Sequence, residues 1–299
     1  MKILLAGGTG FIGRRLQAEL RRSGDDVTLL VRSGASPGHE GTRAVRWDGR
    51  EGGEWERALE GADAVVNLAG APIAGWRWTA ARRELLRRSR IDPTRAIVHA
   101  IRRASRPPSV LINASAVGFY GDVPEGEVTE ETPRGSGFLP ELCAEWESTA
   151  MEAERGGVRV VALRTGIVLA AGEGAMARMV LPFRLFVGGP LGGARQWFPW
   201  IHAEDVVGSI LFLIRGSVSG PVNIVAPHPV RMSEFARTLG AVLHRPSWLP
   251  VPSFFLRALL GDMARVVLEG QRAIPAKLLQ NRYPFRHPEL APALRDLFP

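Results

Sequence analysis

Three glycines near the start of the chain, in the run Ala6-Gly7-Gly8-Thr9-Gly10-Phe11-Ile12-Gly13, have the type and spacing to hold a diphosphate. Gly7 permits a tight turn, Gly10 lets the backbone approach a pyrophosphate, and Gly13 lets a following helix pack against the preceding strand. A corner of this kind turns the free N–H groups and positive dipole end of a helix toward the phosphates. The spacing is Gly-x-x-Gly-x-x-Gly rather than the commoner Gly-x-Gly-x-x-Gly, so the reading leans on context, a strand before and a helix after. Both are present: Ile3 to Ala6 is a continuous apolar run, and Leu16 and Leu20 follow at helical spacing. The expected cofactor contacts are Gly7, Thr9, Gly10, Phe11, Ile12 and Gly13, with a purely structural glycine turn as the alternative.

The second apolar run, Val27 to Val31, ends in Arg32-Ser33. An acidic residue about 20 positions past the glycines holds an adenosine ribose, whereas an arginine there accommodates a 2′-phosphate. A guanidinium binds phosphate bidentately and a serine hydroxyl adds a donor, so Arg32 and Ser33 predict NADP(H) over NAD(H). A solvated surface arginine is the bland alternative. At the end of the fourth run, Ala64 to Leu68, the residues Leu68, Ala69 and Gly70 offer close backbone approach to a ribose, or simply a turn.

These groups need a frame to bring them together. Strand-like runs at Ile3–Ala6, Val27–Val31, Ala44–Trp47, Ala64–Leu68, Val110–Ala114, Val158–Leu163 and Val222–Val225 alternate with helix-like segments. That alternation predicts an α/β fold, a Rossmann-type doubly wound parallel sheet, whose ligand crevice lies outside the carboxyl ends of the strands. A dinucleotide-binding domain is expected over residues 1–169, with a further sheet strand near 222–225. A smaller, mixed substrate lobe is expected over 170–299, with helices at Ser233–Leu243, capped by Ser233, and at Phe254–Glu269 and Pro275–Gln280.

Composition narrows the class. The 299 residues are 45% hydrophobic and 23% charged, and no apolar run reaches the ~18 residues that cross a bilayer, so a cytoplasmic protein with no membrane partner is expected. Cys143 is the only cysteine, which excludes an intrachain disulfide, and no His/Cys group has metal-ligand spacing, so no metal is implied. The net charge of +8 is nearly all arginine, for Lys2 and Lys277 are the only lysines. No aromatic-interleaved recognition pattern accompanies it, so the expected partner is a small molecule, not a nucleic acid.

Together these pieces resemble the extended short-chain dehydrogenase/reductases of the NAD-dependent epimerase/dehydratase type. The resemblance is carried by Gly7 to Gly13, Asn67-Leu68-Ala69-Gly70, Ser115 to Asp122, Leu163 to Leu169 and Trp200 to Val206. Arg77-Trp78-Thr79, Ser89-Arg90, Cys143 to Glu147, Leu243-His244-Arg245-Pro246 and the tail from Gly270 resemble more closely the atypical YfcH-like branch. The resemblance covers essentially the whole chain. It implies an NADP(H)-dependent oxidoreductase or epimerase acting on a sugar nucleotide or another small polar carbonyl or alcohol.

The resemblance also implies a Tyr-x-x-x-Lys pair on a helix, the tyrosine as proton donor and the lysine lowering its pKa. This chain lacks the pair: neither lysine lies four residues after Tyr120 or Tyr283; aligning Cys143 with the tyrosine puts Glu147 at the lysine, and a one-residue shift puts Leu142 and Trp146 there. Cys143 is then either a weak acid/base or nucleophile, or a small buried hydrophobe. Ser115, at a strand end, is a candidate to hydrogen-bond a substrate carbonyl or hydroxyl. Tyr120 is either a proton donor or part of the site wall. Arg164, Arg195, Trp200 and His202 are candidates for the substrate site, with buried structural hydrogen bonding as the alternative for His202. The missing pair also admits a rival class, a catalytically silent NADPH-binding sensor or scaffold.

Overall fold

The computed structural model describes residues 1–32, 42–73, 75 and 77–299. Seven strands form one sheet: β1 (Lys2–Ala6), β2 (Asp26–Val31), β3 (Arg43–Arg46), β4 (Ala64–Asn67), β5 (Val110–Ala116), β6 (Arg159–Thr165) and β7 (Gly220–Ile224). They lie in the order β7-β6-β5-β4-β1-β2-β3, every neighbouring pair parallel. Because all strands run one way, the carboxyl ends of β1, β2, β4, β5 and β6 and the residues just past them lie along a single edge. That edge is where Gly7, Arg32, Leu68, Ser115 and Thr165 converge.

Both faces of the sheet are covered, which is why its strands read as unbroken apolar runs. Successive residues of β1 point to opposite faces. Ile3 and Leu5 pack with α1 (Phe11–Arg22) through Leu16 and Leu20, and with a later helix, Ala203–Arg215, through Val206, Ile210 and Leu213. Leu4 and Ala6 pack on the other side with Trp55, Ile97, Ile101 and Ala150. Ile97 and Ile101 belong to α2 (Ala80–Arg103), Ala150 to α3 (Phe138–Met151). Ile201 to Ile214, Val222 and Ile224 thus join the sheet core, while Phe198, Trp200, Phe235, Leu239 and Leu294 build a separate core in the later lobe.

Two local expectations are corrected. The expected helix over Phe254–Glu269 is broken into Ser253–Leu260, a tight 3₁₀ turn at Gly261–Ala264 and Arg265–Leu268. Gly261 causes the break, since it takes a positive φ of 58° that a helix cannot hold. Ser233 does not cap its helix: Val230–Arg231 pairs antiparallel with Trp197–Phe198, so Met232–Val242 starts earlier, from Arg231. Among the described residues no helix is long and apolar enough to cross a membrane.

Candidate functional site

At the end of β1 the chain turns at Gly7, with φ of 75°. A Cβ at Gly7 would lie 2.6 Å from the Leu68 carbonyl, and one at Gly13 would lie 2.4 Å from the Gly7 oxygen. Loop and helix are therefore in backbone contact. Gly10 occupies the N-cap with its own N–H given to the Gly7 carbonyl (3.1 Å), and the first intrahelical bond is Arg14 N–H to Gly10 O (2.9 Å). The N–H groups of Phe11, Ile12 and Gly13 have no intrahelical acceptor, and the cap has no side chain to occupy them. A corner of this shape fits a diphosphate. Arg32 stands exposed past β2, and Leu68, Ala69 and Gly70 past β4, on either side of the corner. Ser33 lies outside the described residues.

At the same edge of the sheet, two strands along from this corner, a cavity of about 680 Å³ opens between the end of β5, α2, α3 and the Asp262–Gln271 segment. Ser115 and Cys143 both line it. The Ser115 hydroxyl donates to Glu147 Oε1 (2.6 Å), and Glu147 is gripped side-on by Arg164, Nε to Oε1 at 2.9 Å and Nη2 to Oε2 at 2.8 Å. Arg164 also donates through Nη1 to the Tyr120 hydroxyl (3.0 Å) and the Glu130 carbonyl (3.2 Å), with its guanidinium 3.5 Å above the Phe119 ring centre. Burial opposes the charge on Arg164, but the Glu147 hydrogen bonds and charge outweigh it and hold its pKa above the ordinary value.

Burial pushes the Cys143 thiol up to about 12, with the Glu147 charge adding and Arg90, the Ala116 backbone and Ser115 opposing. Cys143 is consequently a neutral thiol at physiological pH, not a thiolate nucleophile. A folded-state pKa above the unfolded value means that stability present below about pH 9 is lost as pH rises toward 12. In Cys143→Ala the fall in unfolding free energy across that window should be shallower by about 1 kcal/mol per pH unit, measured by denaturant titration at each pH. An unchanged slope would show that the thiol ionises freely in the folded protein.

The comparisons with known proteins agree with this geometry. The profile of the NAD dependent epimerase/dehydratase family matches residues 3–225, and that of a domain of unknown function, DUF1731, matches 251–297. The chain belongs to the epimerase/dehydratase family. It is 43% identical to the Epimerase family protein SDR39U1 homolog, chloroplastic, of Arabidopsis thaliana, over 99% of this chain and 86% of that one. It is 38% identical to the Epimerase family protein YfhF of Bacillus subtilis, over 99% and 98%. The crystal structure of human epimerase family protein SDR39U1 (isoform2) with NADPH superposes with a TM-score of 0.90 at 36% identity, covering 99% of each chain.

Within this family member the candidates from sequence separate into two groups. Ser115 and Cys143 are brought together on the cavity wall. Tyr120 and Arg164 are not among its lining: the Tyr120 hydroxyl donates to Asn223 Oδ1 (2.6 Å), and burial pushes its pKa up to about 12 against the pull of Arg164. Trp200 is buried in the core of the later lobe, and Arg195 is exposed on the loop before Trp197. His202 caps its helix, Nδ1 accepting from Glu204 N–H (3.3 Å), with its ring centre 3.8 Å from that of His287 and the two rings tilted by 39°.

Sequence reasoning assigned no role to Arg90 and Gln271, which also line the cavity. Gln271 donates to the Val117 carbonyl (2.6 Å) and ties the tail to the end of β5. The preceding Gly270 is the readable signal, since a Cβ there would lie 2.0 Å from the Trp197 oxygen.

Proposed function

We propose that this protein binds NADP(H) at the glycine corner and exchanges hydride between the nicotinamide and a small carbonyl or alcohol substrate held in the adjoining cavity. It is an oxidoreductase or epimerase of the extended short-chain type, in the YfcH-like branch. The observation that carries the reading is that the diphosphate corner and the Ser115 cavity open at the same edge of the sheet, two strands apart. The human relative solved with NADPH, 36% identical end to end, supports the choice of coenzyme.

The coenzyme supplies the hydride chemistry; the protein orients the reactants. The N–H groups at the start of α1 would hold the diphosphate, and Arg32 would meet the 2′-phosphate. Ser115 has its proton committed to Glu147, so its lone pairs are presented to a substrate hydroxyl at the cavity wall. With Cys143 aligned on the tyrosine, Glu147 takes the place of the lysine, and its ion pair with Arg164 holds the carboxylate that accepts from Ser115.

Replacing Arg32 with Glu is expected to weaken NADPH binding at least tenfold, about 1.4 kcal/mol, while NADH affinity changes far less. Titration of nucleotide fluorescence reads both, and equal losses would remove the argument for NADP(H). A second reading, a sensor without turnover, is favoured by the neutral thiol at Cys143 and the neutralised Glu147. NADPH oxidation across a carbonyl and sugar-nucleotide panel, with Ser115→Ala as control, separates the two. Turnover lost in the control establishes an enzyme; tight binding without turnover establishes the sensor.

A further inference from the structure

Among the described residues the cavity is lined by three arginines, and two of them are neutralised by carboxylates. Arg83 pairs with Asp262, and Arg265 Nε donates to Glu269 Oε1 at 2.6 Å. Arg90 is different. It is buried, with 7% of its surface exposed, and among the described residues its partners are all neutral. Nη1 donates to the Leu86 carbonyl (3.0 Å) and the Ser89 hydroxyl (3.3 Å), Nη2 donates to the Ala71 carbonyl (3.0 Å), and the group lies 5.2 Å from the Trp146 ring centre. Burial draws its pKa down to about 10, and no carboxylate offsets that pull.

A guanidinium has five N–H donors, and these three bonds leave Nε–H and one Nη2–H. Nε and Nη2 are the same two nitrogens with which Arg164 holds both oxygens of Glu147. A buried cation without a counter-charge is costly, and an anion received side-on at those two nitrogens removes the cost. The walls around it are apolar, among them Ile73, Trp78, Phe138, Leu142, Trp146 and Val266.

We infer that Arg90 is an anion-binding group of the cavity and that the substrate is a carbonyl or hydroxy compound carrying a carboxylate on an apolar body. One fork matches one carboxylate in charge and shape; a diphosphate brings more negative charge than this single group balances. The inference rests on the reading of the cavity as the substrate site beside the coenzyme.

The test compares phenylpyruvate with phenylpyruvamide, the same body without the charge, by calorimetric titration of the NADPH-loaded protein. The acid is expected to bind at least tenfold more tightly than the amide. Arg90→Gln is expected to bring the ratio to about one, and Arg90→Lys, which keeps charge without the fork, to leave an intermediate preference. Equal binding of acid and amide by the natural protein, binding of neither, or an acid preference unchanged in Arg90→Gln, overturns the inference. Should Arg90→Gln fail to fold, the natural protein and Arg90→Lys decide it. The NADPH titration is read separately: failure there overturns the coenzyme reading, and the acid-to-amide ratio of the unloaded protein still judges Arg90.

Discussion

Replacing Arg164 with methionine is expected to destabilise the folded protein by about 3–5 kcal/mol, the range for removing one partner of a buried ion pair. The side chains of Arg164 and Glu147 are only 4% and 9% exposed. With the guanidinium gone, the Glu147 carboxylate keeps, among the described residues, only the Ser115 hydroxyl as a hydrogen-bond donor, and the Tyr120 hydroxyl and Glu130 carbonyl each lose a bond. An exposed pair such as Arg88 and Glu84 lacks this desolvation, and breaking it should cost no more than about 1 kcal/mol. The double variant Glu147→Gln/Arg164→Met should recover roughly 2 kcal/mol relative to the sum of the single losses, because no buried charge is left uncompensated. Urea denaturation of the four proteins reads the cycle. A loss below about 1 kcal/mol in Arg164→Met would mean that water reaches Glu147 and that the carboxylate is not held for Ser115.

The parts of the fold that were legible in the sequence are those written by short-range periodicity. Continuous apolar runs such as Leu4-Leu5-Ala6 and Ala64-Val65-Val66 mark strands buried on both faces, and the residue after each is at the crevice edge whatever the loops do. The pairing of Glu147 with Arg164 was not legible. The two are 17 positions apart on α3 and β6, and only the placing of α3 over β5 and β6 makes them neighbours. Without that contact Arg164 reads as a cation available to substrate, and Tyr120, which it holds, reads as a proton donor.

Arg90 was hidden by its company in Arg87-Arg88-Ser89-Arg90, which looks like one solvated face. The helical period separates them: Leu86, Arg90, Thr94, Ile97 and Ile101 share the buried stripe of α2, whereas Arg87 turns outward to Glu145. An arginine on the apolar stripe of a helix was the signal available. Its absent carboxylate partner is a property of the folded cavity alone.

The same contrast between spacing and contact sets the largest expected effect on coenzyme binding, that of Gly13→Ala. The added Cβ would lie 2.4 Å from the Gly7 oxygen and 2.6 Å from the Gly8 Cα, both backbone atoms that no rotamer change can move aside. Gly7 is itself pinned, since its own Cβ direction faces the Leu68 carbonyl at 2.6 Å. The clash is therefore relieved only by lifting α1 away from the turn, which carries the N–H groups of Phe11 and Ile12 off the diphosphate position. NADPH affinity should fall at least a hundredfold, about 2.7 kcal/mol. Overpacking should also cost the fold about 1–3 kcal/mol. At Gly10 the added Cβ would stand 3.2 Å from the Gly7 oxygen, so Gly10→Ala should cost the fold less and yet still weaken binding, because the methyl group is at the phosphate face. Gly156→Ala, with nothing within 4 Å of its Cβ position, should leave both unchanged. Parallel NADPH titrations and urea denaturation of the three variants supply the ranking. If Gly13→Ala binds NADPH as the natural protein does, the coenzyme is not held at this corner, since no backbone in contact on both sides can absorb a methyl group without moving.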